Sequence, residues 1–228
     1  MTSKMIAAAL AGAALMTASA DAAVVFTEGF EGQQISSRWR VFDNFGQFMT
    51  IDGAGIEIQR SGTVVTAYEG NQYVELDSHK GNGGDVNAAT SNTSMAALAN
   101  LVAGAQHSVT FAYRPRTNNY NDNGIAVSIG NLDTSGAEPV FTQSMQIGSV
   151  DGRRRDQNAW HVVTMNFLAG VGDNAIMFRA FGSDNTLGGF LDDIAIEADL
   201  TDVNVPLPGA AFLLGTGIAL MARSRRRV

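Results

Sequence analysis

The stretch HSVTFAYR, residues 107–114, puts Val109, Phe111 and Tyr113 on one side of an extended chain and Ser108, Thr110 and Ala112 on the other. A repeat of two is the period of a strand with one buried face. The same rule recurs along the chain. Ile56 and Ile58 alternate with Glu57 and Gln59, and Val74 and Leu76 with Tyr73, Glu75 and Asp77. Ile125, Val127 and Ile129 follow it, as do Val163, Met165 and Phe167, and Phe190, Ile194 and Ile196. Between these runs lie DGAG, GNGG, NNYNDNG and GVGDN, clusters suited to turns that need positive φ. Many short strands with such turns predict an all-β sandwich or barrel, and the region is long enough to fill a two-sheet core. One segment stays open. SMAALANLVAG, residues 94–104, has Leu98, Leu101 and Val102 at helical spacing among alanines, so propensity favours a short helix while its neighbours favour a strand.

The 228 residues contain 15 Lys and Arg against 22 Asp and Glu, for a net charge of −7. Lys4, Arg223, Arg225, Arg226 and Arg227 lie in the terminal segments, so the acidic excess of the middle region exceeds the total. Such a surface repels phosphates, which argues against a nucleic-acid partner. There is no cysteine, which excludes disulfides, thiolate metal sites and cysteine nucleophiles.

The two ends agree on export. Lys4, an apolar run from Met5 to Met16 and the small-residue patterns Ala18-Ser19-Ala20 and Ala20-Asp21-Ala22 predict a signal peptide over residues 1–22. At the other end Leu207 to Ala222 is uncharged and would span about 24 Å as a helix. That is short for a bilayer core of about 30 Å, but usable if arginine stems snorkel. Arg223, Arg225, Arg226 and Arg227 then fix the cytoplasmic side.

Val205-Pro206-Leu207-Pro208-Gly209, the apolar segment and the arginine cluster resemble the PEP-CTERM sorting signal in its VPLPA form. Leu207 stands where the commonest form has glutamate, and Gly209 where the VPLPA form has alanine. The resemblance implies an exosortase as processing partner and a Gram-negative bacterium that makes exopolysaccharide. The precursor would be held in the inner membrane, and the mature protein would reach the cell surface or the medium. The region between, residues 23–201, carries TEGFEG followed by Trp39, then GNQYVELDS, NAWHVVTMNFLAG, NAIMFRAFG and GGFLDDIAIE. In that order and spacing these resemble galactose-binding-like jelly-roll domains, notably the DUF642-like branch. The implied architecture is an all-β jelly-roll sandwich flanked by an N-terminal signal helix and a C-terminal transmembrane helix. Residues 202–228 form a linker and the sorting signal.

The same resemblance implies a structural Ca²⁺ shared by an N-terminal glutamate and an aspartate of the last strand, matching Glu31 with Asp192 or Asp193. Calcium takes six to eight oxygens and would pin the first strand to the last. Alternation places Asp192 on the face of Phe190, Ile194 and Ile196. The loop NNYNDNG mimics the start of an EF-hand, but position 12 falls on Gly130 instead of glutamate, so a glycine-ended hairpin turn is the better reading. Its Asn119, Tyr120 and Asn121 are candidates for hydrogen bonding to, or stacking on, a sugar. Arg153, Arg154 and Arg155 form the one basic cluster of the acidic region and could grip a carboxylated or sulfated glycan, or simply sit balanced by Asp151 and Asp156. Neither H-E-x-x-H nor G-x-S-x-G occurs, and no carboxylate pair stands out for glycoside hydrolysis. The leading expectation is therefore a non-catalytic module that contacts extracellular polysaccharide. A purely structural matrix protein is the second reading and a polysaccharide-active enzyme the third.

Overall fold

The computed structural model describes residues 22–119 and 121–201. Among them the chain forms thirteen strands: β1 (Ala23–Glu28), β2 (Trp39–Phe42), β3 (Asn44–Phe45), β4 (Phe48–Asp52), β5 (Ile56–Arg60), β6 (Gln72–Glu75), β7 (Ser94–Leu98), β8 (Gln106–Arg114), β9 (Gly124–Asp133), β10 (Val140–Val150), β11 (His161–Leu168), β12 (Ala175–Phe181) and β13 (Phe190–Asp199). They build two antiparallel sheets. One has seven strands in the order β11-β8-β13-β6-β5-β2, with β1 also on β13; the other has six, β10-β9-β12-β7-β4-β3. The chain crosses between sheets repeatedly, so sequence neighbours such as β8 and β9 face one another across the core. The expected signal peptide, its helix, the transmembrane helix and the sorting motif lie outside the described residues. Among the described residues no helix is long and apolar enough to cross a membrane.

The predicted inward rows meet in one core. Val109, Phe111 and Tyr113 from β8 pack with Ile125, Val127 and Ile129 from β9 and Ile56 and Ile58 from β5. Phe178 of β12 lies at the centre, edge-on to Phe111 at 5.4 Å and to Phe48 of β4 at 5.9 Å. It thereby ties both sheets together.

The undecided segment 94–104 begins as a strand. β7 runs between β12 and β4, with Met95 and Ala97 turned into the core and Ala96 on the outer face. Its alanines suit a helix intrinsically, but the two neighbouring strands supply ladder bonds on both sides, and that pairing decides.

The last strand departs from simple alternation. Leu191 pairs with Tyr113 and packs in the core, while Phe190 and Asp192 point outward; beyond a bulge, Ile194 and Ile196 are the core residues. Asp192 thus shares a face with Phe190, as alternation predicts, but not with Ile194 and Ile196. The slip occurs at Asp193, whose φ is +47°. A bulge inserts an extra residue and reverses which side faces the core. Here it also changes partners, because Phe190 and Leu191 pair with β6 whereas Ile194 to Ala198 pair with β1. The strand continues to Asp199, so the polar stretch EADLTDVN, which reads as a linker, starts inside the sheet.

The outer face of the seven-stranded sheet is covered as well. Glu57, Gln59, Tyr73, Glu75, Asp77, Phe190 and Asp192 are all buried there. The β5–β6 loop, residues 61–71, folds back over Tyr73 and Asp192, while the β12–β13 segment supplies the Asn185, Leu187 and Gly188 amides to Asp77 and Glu75. The Val64 and Val65 amides donate to the Tyr73 hydroxyl, and Trp160 Nε1 donates to the Thr66 carbonyl.

Candidate functional site

On the outer face of the six-stranded sheet, β9, β10 and β12 line an open hollow. Along β12, Met177, Arg179 and Phe181 project outward, opposite Ile176, Phe178 and Ala180 in the core. On the neighbouring β9 the outward positions are small, Ala126 and Ser128. On the edge strand β10, Gln143, Gln146 and Ser149 rise again. Small side chains between two taller rows make a trough of about 420 Å³. The β10 wall is shaped by two bulges, at Gln143–Met145 and Gln146–Gly148, which turn polar residues toward the trough. Ser128 Oγ donates to Gln143 Oε1 at 3.1 Å and joins floor to wall. An apolar cluster of Ala96, Leu132, Ala175 and Met177, with Ile51 and Phe141, extends the face toward the middle of the sheet.

At the far end of β12 the trough continues into a second hollow of about 370 Å³, lined by Asn121, Asp151, Arg153, Phe181, Gly182 and Ser183. Phe181 belongs to both and is 39 % exposed. The result is an extended groove with an aromatic ring at its midpoint and an arginine on either side. Amide, hydroxyl and guanidinium groups line it, an arrangement suited to hydrogen bonding a hydroxylated chain.

Two sequence candidates meet here. Asn121 and Arg153 lie at the same end of the groove, although 32 positions separate them in the chain. Tyr120 lies outside the described residues. Asn119 serves the loop itself, its Oδ1 accepting the Asn121 amide at 3.2 Å. The loop is stapled from within by buried Asn123, whose Oδ1 accepts the Arg116 and Thr117 amides and whose Nδ2 donates to the Asn119 carbonyl. This is a side-chain-stapled turn and not the expected hairpin, because β8 and β9, which it joins, lie in different sheets. The arginine cluster divides. Arg153 lines the groove; Arg154 occupies a left-handed turn position with φ +59°; Arg155 packs back over the Tyr113 ring at 5.8 Å and donates to the Asp151 carbonyl. Met177, Arg179 and Phe181 are absent from the sequence candidates. Their signal lay in the i, i+2, i+4 row of β12, where a large aromatic follows an arginine on the face opposite the core.

The carboxylates matched to calcium hold the β5–β6 loop. Glu31 Oε1 accepts the Asn71 and Gln72 amides at 2.7 and 2.8 Å, and Oε2 accepts Gln34 Nε2. Asp192 Oδ2 accepts the Tyr68 and Glu69 amides at 2.9 and 3.1 Å, and Oδ1 the Asp193 amide. Both grip one five-residue segment, 68–72. Gly70 between them has φ +61°, and a Cβ there would stand 2.5 Å from Glu31 Oε1. Every one of these oxygens accepts a hydrogen bond from an N–H, so the two carboxylates hold the loop by amide contacts. Asp193 occupies the bulge. Among the described residues no group of three or more His, Asp or Glu side chains could hold a metal ion. Burial raises the Asp192 pKa to about 7, against the lowering pull of the Glu69, Asp193 and Tyr68 amides.

A polar chain lies under the same loop. His79 Nδ1 sits 2.9 Å from Glu57 Oε2; Gln59 Nε2 donates to Glu57 at 2.8 Å and to Glu75 at 2.5 Å; Arg116 Nη1 pairs with both oxygens of Glu75 at 2.6 Å. Desolvation holds the Glu75 carboxyl well above the usual range, with Arg116 pulling it back down. The other two histidines are also engaged. His107 Nε2 accepts the Val102 amide and Nδ1 faces the Ala105 carbonyl, while His161 Nε2 faces the Asp156 carbonyl.

No protein-family model matches the chain, and no curated protein matches it in sequence. Solved structures similar to it include the K1 cleaved adhesin domain of Lys-gingipain from Porphyromonas gingivalis, at 20 % identity and a TM-score of 0.49, covering 75 % of this chain and 96 % of that one. The K2 cleaved adhesin domain of Lys-gingipain aligns at 19 % identity and a TM-score of 0.48, covering 75 % and 98 %. The CBM22-1 xylan-binding domain from Paenibacillus barcinonensis aligns at 9 % identity and a TM-score of 0.44, covering 78 % and 95 %. At these values the sandwich rests on its own sheets and core.

Proposed function

We propose that this is an exported, exosortase-sorted surface or matrix protein whose sandwich, a galactose-binding-like jelly roll, is a non-catalytic carbohydrate-binding module. The glycan lies along the groove of the six-stranded sheet. The observation that carries this reading is the groove itself. Ala126 and Ser128 form a low floor between a wall of Gln143, Gln146 and Ser149 and a wall of Met177, Arg179 and Phe181, and the groove continues past Phe181 to Asn121 and Arg153. A polysaccharide needs room for consecutive rings, a flat apolar surface for their C–H faces and planar polar groups for their hydroxyls. Phe181 supplies the second, and the glutamines and arginines the third.

The termini support the setting in which such a module would work. A signal peptide, the Val205–Gly209 motif and the terminal arginines are the sequence features that favour export and exosortase processing. The extracellular partner would then be the exopolysaccharide of a biofilm. A glycan array with the full chain tests the module. Saturable binding to one glycan class is expected, and absence of binding across the array would overturn the proposal.

A further inference from the structure

On the opposite sheet a smaller hollow of about 240 Å³ is lined by Arg38, Trp39, Glu57, Gln59, Thr63, Val64, His79 and Arg116. The cross-strand register explains how it forms. Trp39 of β2 pairs with Gln59 of β5, which pairs with Tyr73 of β6; in the next outward row Val41, Glu57 and Glu75 follow one another. Residues paired across an antiparallel ladder point the same way. Trp39, Gln59, Glu57 and Glu75 therefore share the outer face, and the Trp39 ring stacks against His79 at 4.6 Å with 33° between planes.

The groups around this hollow are not all consumed by the fold. The Arg116 side chain donates from Nη1 to Glu75 and to the Thr186 carbonyl, while Arg116 also lines the hollow. Glu57 Oε2 takes the His79 amide and Nδ1, whereas Oε1 takes Gln59 alone. A carboxylate oxygen with one donor still has a lone pair to offer. Arg38 is exposed at the rim and donates from Nη2 to the Thr63 carbonyl. The formal charges balance: Arg38 and Arg116 stand against Glu57 and Glu75. Buried Glu57, Gln59 and Glu75 cost more desolvation than apolar residues of the same size would. A use in binding accounts for that cost.

We propose that the hollow between Trp39, His79 and Glu57 is a second binding site, for one neutral sugar ring. The volume lies below the usual range of about 300–1,000 Å³ for larger ligands, which fits a single ring better than a chain. The indole presents an apolar wall to the C–H face. Glu57 Oε1 accepts from one hydroxyl, and the arginine N–H groups donate to others. Balanced charge disfavours an anionic sugar. This site does not depend on the groove, and it lies on the other sheet.

The chain has two tryptophans, Trp39 and Trp160, so Trp160→Phe leaves Trp39 as the reporter. The full chain carrying that change is titrated with neutral methyl pyranosides and with methyl glucuronide, following fluorescence. A saturable change with a neutral sugar is expected, weakened about tenfold or more by Arg38→Gln and untouched by Phe181→Ala. No saturable change with any neutral sugar, tighter response to the glucuronide, or loss of the response in Phe181→Ala would each overturn the proposal. Calorimetry on the unsubstituted chain and on Arg38→Gln gives the same reading if Trp160→Phe does not fold.

Discussion

Asp192 and Arg116 are two single residues on which the covered face of the seven-stranded sheet depends. Asp192 has a pKa raised to about 7 by burial, against 3.8 ordinarily. Between about pH 4 and about pH 7 the unfolded chain gives up this proton while the folded chain keeps it, so folding stability falls as pH rises through that window. Asp192→Asn should flatten that part of the stability–pH curve in urea titrations; an unchanged slope would show that Asp192 does not titrate there. Arg116 is the counter-charge to fully buried Glu75. Arg116→Ala leaves that carboxylate unpaired and should cost about 3–5 kcal/mol, whereas Glu75→Gln removes the charge itself and should cost less. Equal losses in chemical denaturation would contradict the pairing. At this scale the sequence was only partly readable. Glu57, Gln59, Glu75 and Asp77 alternate with apolar residues and so look solvent-facing; that His79, Arg116 and the 185–188 segment close over them is a tertiary event with no local mark. The positive φ at Asp193 is equally silent, because aspartate tolerates that conformation without requiring it.

Elements with a regular inward row were legible, and those without one were not. β8 and β9 follow from Val109, Phe111 and Tyr113 and from Ile125, Val127 and Ile129. β10 has no such period, because it is an edge strand, mostly exposed and bulged twice. β7 was ambiguous because its alanines favour a helix that its two neighbours override. The β5–β6 connection is clamped by Glu31 and Asp192 through four backbone amides, those of Tyr68, Glu69, Asn71 and Gln72. An amide clamp needs no cation. The melting midpoint should therefore stay unchanged on adding EDTA, and a clear drop would show that calcium takes part in holding the first and last strands.

At the largest scale the described residues form a sandwich held by one core between unlike outer faces, one folded over by a loop and one bearing an open groove. Phe178 joins both sheets, and Phe178→Ala should destabilise the fold by about 3–5 kcal/mol in chemical denaturation, through lost burial and the cavity left behind. A change below about 1 kcal/mol would mean that the two sheets do not close on this ring. The sandwich class could be read from alternation and turns. The groove could not, because its walls come from four separated segments, around residues 121–128, 143–149, 153 and 177–183. Loop chemistry points to Asn121 and Arg153, and the outward row of β12 contains Phe181, but no local pattern shows that the three meet. The central claim is that this groove binds a glycan chain. Affinity electrophoresis of the full chain and its Phe181→Ala variant against soluble polysaccharides tests it most directly. The account predicts retardation by one polysaccharide class, weakened about tenfold or more in the variant at an unchanged melting midpoint. Equal retardation of both proteins, or none of either, would contradict it.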